Sequence, residues 1–168
     1  MSGKILAFYR GGRDDEGRTL QAILAWPDAE LEAVHDFIQW LFPLPERSGA
    51  NPDAPVLDAD TIAAFRQSKE LQDQLRQSFL RMLRLYGLEF DGETVRLAAN
   101  FSSRSSTWLN PNNHNHLRLT RMLRSLHLLG LAAESTALFQ ALSEIYSNHP
   151  GRITQHTYQF WKDATTSN

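Results

Sequence analysis

His114, Arg118 and Arg121 fall at i, i+4 and i+7, the spacing that puts three side chains on one face of a helix. Guanidinium forks pair bidentately with carboxylate or phosphate, so the stripe is chemically suited to an anion. Asn112 and Asn113 stand just ahead of it, where the first backbone N–H groups of a helix lack partners and favour negative charge. Two expectations follow. Either these five residues line a pocket for a carboxylate or phosphate, or the arginines bridge to acids such as Asp14, Asp15, Glu32 and Asp36 and tie the fold together. His114 and Arg118, nearer the helix start, suit the pocket; Arg121 suits the bridge. His35 and Gln39 form a second candidate pair, one helical turn apart. His35 reads as a core histidine with one hydrogen-bond partner, or as a general base or ligand contact beside Gln39.

Other chemistry is poorly served. His114-x-His116 has a metal-ligand spacing outside a helix, but inside one the two diverge by about 200°. No carboxylate nearby completes a set, so neither a metal nor a cofactor is expected. The chain has no P-loop, Gly-x-Ser-x-Gly, His-Glu-x-x-His or dinucleotide fingerprint. Gly11-Gly12 is a turn. A non-enzymatic role is therefore expected.

The elements that must position these residues are helical. Asp28 reads as the cap of a central helix continuing to Phe42, where Pro43 stops it. At about 100° per residue, Leu31, Val34, His35, Ile38, Leu41 and Phe42 share one face, and Ala33, Phe37 and Trp40 occupy much of the other. Such two-sided apolar patterning predicts burial, with Trp40 in the core. A short helix is expected over 18–25. Asp58 and Ser68 read as caps of two more helices, the second with a stripe of Leu71, Leu75, Phe79, Met82, Leu83 and Tyr86 closed by Gly87. Asp91-Gly92 marks a small β-hairpin within 88–97. Helices follow over 113–129, closed by Gly130, over 133–147 with Leu138, Leu142 and Ile145 inward, and from Thr154, burying Ile153, Phe160 and Trp161. Residues 1–16 read as an irregular arm, 43–57 as a Pro-rich loop, and 100–112 as a polar loop in which Trp108 is open to a binding role. The expected fold is all-α: one domain over 1–168, a bundle of about six or seven helices.

Several strings in this order resemble one family. His35-Asp36-Phe37-Ile38-Gln39-Trp40-Leu41-Phe42-Pro43-Leu44 is similar to the core string of the opioid growth factor receptor conserved domain. Phe8-Tyr9 before a Gly-rich turn, Met82-Leu83-Arg84-Leu85-Tyr86-Gly87, the run from His114 to Arg121, and Ser125-Leu126-His127-Leu128-Leu129-Gly130-Leu131 resemble further segments of it. The resemblance spans nearly the whole chain. It implies receptor-like binding of an opioid peptide, without catalysis, and a membrane-associated or nuclear location in animal relatives.

Composition bounds the alternatives. The 168 residues are 42% hydrophobic and 21% charged, ordinary for a globular chain. There is no cysteine, which excludes disulfides, thiolate metal sites and a cysteine nucleophile, and suggests a cytoplasmic home. No apolar run approaches a membrane span, and residues 1–10 are too polar and short for a secretory signal. From Thr94 to Ala133 there is no acid, but five arginines. A nucleic-acid or phosphate-ligand domain using this 94–133 segment is the second function class. Against it stand a pI near 6.3 and only three lysines. An unrecognised hydrolase or metal-dependent enzyme working through His35 or His114 is the third. The expected partner is a peptide, a protein or a small anionic ligand.

Overall fold

A computed structural model describes residues 3–166. The described residues hold ten α-helices and one two-stranded antiparallel sheet, an all-α fold with a small hairpin. Every helix expected from the sequence has a counterpart, and three segments exceed the expectation: one at the start, one from a break in the central helix, and one in the polar loop. Contacts divide the chain into two compact units, the first ending at Ser78 and the second beginning at Phe79.

In the first unit, α1 (Gly3–Tyr9) replaces most of the expected irregular arm. It buries Ile5, Phe8 and Tyr9, an i, i+3, i+4 set that makes one apolar face. Gly11-Gly12 ends it. Gly11 takes a φ of +101°, Gly12 N–H donates to the Ala7 carbonyl at 2.8 Å, and a Cβ on Gly12 would lie 2.7 Å from that oxygen. These glycines close a helix; they do not cradle phosphate. α2 (Leu20–Leu24) is capped by Thr19, whose side chain accepts from Ala22 N–H.

The central helix is two short helices, α3 (Asp28–Ala33) and α4 (Ile38–Leu41). Val34 turns extended, with φ −93° and ψ 132°. The break resolves the two-sided pattern. Leu31 lies before it and Phe37, Ile38, Trp40, Leu41 and Phe42 after it, and all six are buried. Phe37 sets its ring edge-to-face with Trp26 at 5.6 Å, and the Asp36 carboxylate reaches Arg18 at 2.9 Å. His35, placed on the core face by the continuous-helix expectation, is instead exposed at the break. α5 (Ala59–Gln67) is capped by Asp58, which accepts from Thr61 N–H at 2.8 Å, and α6 (Lys69–Tyr86) starts where Ser68 accepts from Leu71 N–H at 3.1 Å. The loop 43–57 closes through Leu57 N–H on the Leu44 carbonyl at 2.9 Å.

Tyr9 is the polar pin of this unit. Its hydroxyl donates to the Leu41 carbonyl at 2.6 Å, so Ser78 Oγ, 2.9 Å away, is the donor in the second contact. Burial raises the phenol well above its ordinary range. Phe8 packs against Trp40 at 5.3 Å and Tyr9 against Phe65 at 5.2 Å. Tyr9→Phe removes both hydrogen bonds while preserving the ring, and buried polar groups stripped of a partner cost about 1–3 kcal/mol. Urea unfolding is expected to show a lower midpoint with an unchanged slope.

In the second unit, β1 (Leu88–Phe90) and β2 (Val95–Leu97) pair with Glu89 opposite Arg96. Asp91 fixes the turn by accepting from Glu93 N–H, Thr94 N–H and Thr94 Oγ1; the Thr94 and Glu93 backbone bonds hold its carboxyl down at about 2. The expected polar loop carries α7 (Phe101–Arg104) and a 3-10 turn over Ser105–Thr107. Gly87, with φ +77°, ends α6, and its bare Cα lets the α7 backbone close in: a Cβ there would lie 2.9 Å from Phe101 Cα. α8 (His114–Leu128), α9 (Ala132–Asn148) and α10 (Gln155–Ala164) complete the unit. Trp161 is fully buried and donates from Nε1 to the His116 carbonyl at 3.1 Å. Phe160, expected inside, is 49% exposed.

Candidate functional site

The helix expected to carry an anion site is present, but its first turn is already occupied. Asn113 caps α8 with its own side chain, accepting from Asn115 N–H at 2.9 Å, while its amide nitrogen donates to the Thr107 carbonyl and to Asn110 Oδ1. Asn112 takes a left-handed φ of 60°, a conformation asparagine tolerates, and so serves the turn that aims the chain into the helix. The stripe does not stay on one surface. His114 is exposed, Arg121 is half-buried, and Arg118 is only 5% exposed. The buried face of α8 is wider than the apolar stripe Leu119, Met122, Leu123, Leu126 and Leu129, because Asn115, His116, Arg118 and Ser125 are inside too. Leu117 is turned out, at 72% exposure. An arginine sealed in the fold does not line an open cleft, so the structure does not bring His114, Arg118, Arg121, Asn112 and Asn113 together as one accessible pocket.

Around α8 sits a buried polar and aromatic cluster instead. Trp108, expected in an open loop, is fully buried and donates from Nε1 to the Tyr86 carbonyl at 3.0 Å. Tyr86 donates from its hydroxyl to Asn115 Oδ1 at 3.0 Å. His116 Nε2 lies 2.8 Å from the Trp108 carbonyl, between the Trp108 and Trp161 rings. His114 and His116 therefore point to different surroundings, one exposed and one buried, and among the described residues no group of three histidines or carboxylates is arranged to hold a metal ion.

A recess with chemical character lies in the first unit. It has a volume of about 110 Å³ and is lined by Asp15, Glu16, Asp36, Trp40, Asn51, Asp53 and Ala54. Local structure positions each wall. The 14–18 turn is held by Asp14, which accepts from Glu16 N–H at 3.0 Å, Arg18 N–H at 2.8 Å and Arg18 Nε at 2.8 Å, and this leaves Asp15 and Glu16 facing outward. Asp36 stands at the break between α3 and α4, and Trp40 follows one turn later. The Pro-rich loop brings Asn51 and Asp53. Gln39, 3% exposed, backs this wall: its Oε1 accepts from Asn51 Nδ2 at 3.4 Å and its Nε2 donates to Ser48 Oγ at 3.5 Å. Of the residues singled out in the sequence, Gln39 thus supports the recess without lining it, and His35 is not among its lining residues.

Electrostatically the recess is anionic. Asp15 is paired with Lys4 at 3.1 Å and Asp36 with Arg18 at 2.9 Å. Glu16 and Asp53 have no ion pair among the described residues. Up to Ser78 the chain holds 8 basic and 13 acidic side chains; from Phe79 on it holds 9 and 6. The surrounding field therefore reinforces the local carboxylates, and the group that fits is a cation. The volume of the recess lies below the roughly 150 Å³ of an enclosed cavity that accepts benzene, and it suits an ammonium with its adjoining methylenes. The sequence signal was the clustering of Asp14-Asp15-Glu16, Asp36 and Asp53, of which Asp14, Asp15 and Asp36 were expected to serve as partners for distant arginines. Asp14 and Asp36 in fact bind the nearby Arg18.

Residues 19–163 match the family described as the opioid growth factor receptor (OGFr) conserved region. The chain is 39% identical over 134 residues to the opioid growth factor receptor of Rattus norvegicus, covering 75% of this chain and 23% of that protein. It is 42% identical over 104 residues to the Mus musculus opioid growth factor receptor, covering 60% of this chain and 16% of that protein. It is also 39% identical over 103 residues to opioid growth factor receptor-like protein 1 of Mus musculus, covering 60% and 22%. The chain thus matches less than a quarter of the length of these relatives. No solved structure matches.

Proposed function

Because this chain belongs to the opioid growth factor receptor conserved-region family, we propose that it is a non-enzymatic, receptor-type binding domain whose ligand is a peptide with a cationic group. The observation that carries the ligand's charge is the recess lined by Trp40 and four carboxylates, two of them without an ion pair among the described residues. A peptide amino terminus or a lysine tip matches it in charge and size. Relatives named opioid growth factor receptors make an opioid peptide the first ligand to try. Burial of Arg118 weighs against the phosphate or nucleic-acid class, which needs its arginines at the surface. No helix among the described residues is long and apolar enough to cross a membrane. A cytoplasmic setting suits a chain that folds without cysteine.

Fluorescence anisotropy tests this reading. A labelled opioid peptide with a free amino terminus is expected to bind at low salt and to weaken as salt screens the carboxylates. N-acetylation of the peptide is expected to weaken binding about tenfold, equivalent to about 1.4 kcal/mol. The Glu16→Gln, Asp53→Asn double variant, at exposed positions, is expected to fold normally and bind about three- to tenfold more weakly. Equal binding of free and acetylated peptide, or none to folded protein at high micromolar concentration, would refute it.

A further inference from the structure

His116 is 3% exposed, one of the few titratable side chains inside the second unit. Its Nε2 faces the Trp108 carbonyl at 2.8 Å. A carbonyl only accepts, so Nε2 carries the proton in the neutral ring. Nδ1 then holds the lone pair. It is shielded from solvent and has no hydrogen-bond partner among the described residues. The ring meets Trp161 edge-to-face at 5.5 Å and Trp108 at 6.4 Å. The residue's own carbonyl accepts from Trp161 Nε1 at 3.1 Å and from Thr120 Oγ1 at 3.0 Å. One residue of α8 thus holds the buried indole of α10 by its backbone and seats it against its side chain.

We propose that His116 is an acid-sensitive latch between α8 and α10: a proton taken up on Nδ1 gives the buried ring a charge and a donor with no acceptor, and loosens the seat of Trp161. The neutral form suits the site and the imidazolium does not. Burial pushes the imidazole below its ordinary range; the Trp108 carbonyl partly opposes this, and His114 adds to it. Other charged groups on the packed elements do not supply the missing acceptor. Arg104, at the end of α7, donates from Nε to the Leu85 carbonyl. On α10, Lys162 and Asp163 are exposed. On α9, Glu144 is exposed and Glu134 precedes Ser135, whose hydroxyl donates to the Leu123 carbonyl, two turns along α8 from His116. His149 follows α9 and lies against Phe101. Arg118, on α8 itself, brings positive charge. The sign is fixed by the depressed value. Above about pH 6.5 both folded and unfolded chains hold a neutral ring and the latch is fully effective. As pH falls below that, the unfolded or opened state binds the proton more readily, and stability is lost until pH passes the folded-state value.

Two measurements on the whole chain test the latch. Amide hydrogen exchange in α10, corrected for intrinsic rates, should accelerate by up to about tenfold per pH unit between pH 6.5 and 5.5, the limit set by one linked proton. His116→Gln, whose amide keeps a donor for the Trp108 carbonyl and does not titrate, should remove that acceleration. Independently of any variant, the NMR titration of the His116 ring in the parent should have its midpoint below 6.5. A midpoint at or above 6.5, or equal acceleration of α10 exchange in parent and variant, overturns the proposal.

Discussion

Trp161→Ala is expected to destabilise the second unit by about 3–5 kcal/mol, the range for emptying a buried aromatic site. The indole is fully buried, its ring meets His116 at 5.5 Å, and its Nε1 bonds the His116 carbonyl across 45 residues of sequence. Alanine leaves a cavity and strips a carbonyl inside the core of one of its donors. Relaxation around the site sets where in the range the loss falls. Denaturant unfolding followed by far-UV circular dichroism measures it. A loss below about 1 kcal/mol would mean that α10 contributes little to the unit's core.

Trp40→Ala is expected to cost a similar 3–5 kcal/mol in the first unit. Trp40 is 3% exposed and packs its ring on Phe8 at 5.3 Å. It differs from Trp161 in also lining the carboxylate recess. Its loss should therefore weaken ligand binding beyond the effect on stability, even under conditions where the variant stays folded. Trp40→Phe separates the two effects, restoring most of the packing but not the indole lining. Calorimetry of both alanine variants reports the stability changes, and a Trp40→Ala protein melting within about two degrees of the parent would place this indole at the surface.

Most local signals in the chain were reliable; the exception is Asp28, expected as a cap but standing as the first residue of α3 behind Pro27, with no side-chain cap. Asp58, Ser68 and Thr154 cap helices, Gly87 and Gly130 end them in left-handed conformations, and Asp91-Gly92 turns the hairpin, because each feature depends on a few neighbouring residues. Features requiring distant partners were not legible. The break at Val34 follows from Phe37 finding Trp26 and Asp36 finding Arg18, contacts that no periodicity contains. Trp108 sits in a serine- and asparagine-rich stretch that reads as open loop, yet α7 and the 3-10 turn fold it inward onto Tyr86. Leu117 is exposed and Arg118 buried, because the packed face of α8 is wider than its apolar stripe and takes in Asn115, His116, Arg118 and Ser125 as well. For that reason His114, Arg118 and Arg121 do not share one exposed face. The recess was half-visible as three acidic clusters, but their convergence depends on the turn at Asp14, the break at Val34 and the loop closed by Leu57, which only the folded chain brings together.

A titration of the isotopically labelled chain with an opioid peptide, followed by amide and indole NMR shifts, tests the receptor-type reading most directly. Saturable perturbations are expected at Asp15, Glu16, Asp36, Asn51, Asp53 and Ala54 and at the Trp40 indole, and they should vanish when the peptide's amino terminus is acetylated. Perturbations clustered at Asn112–Arg121, or no saturable shift at any residue, would contradict it.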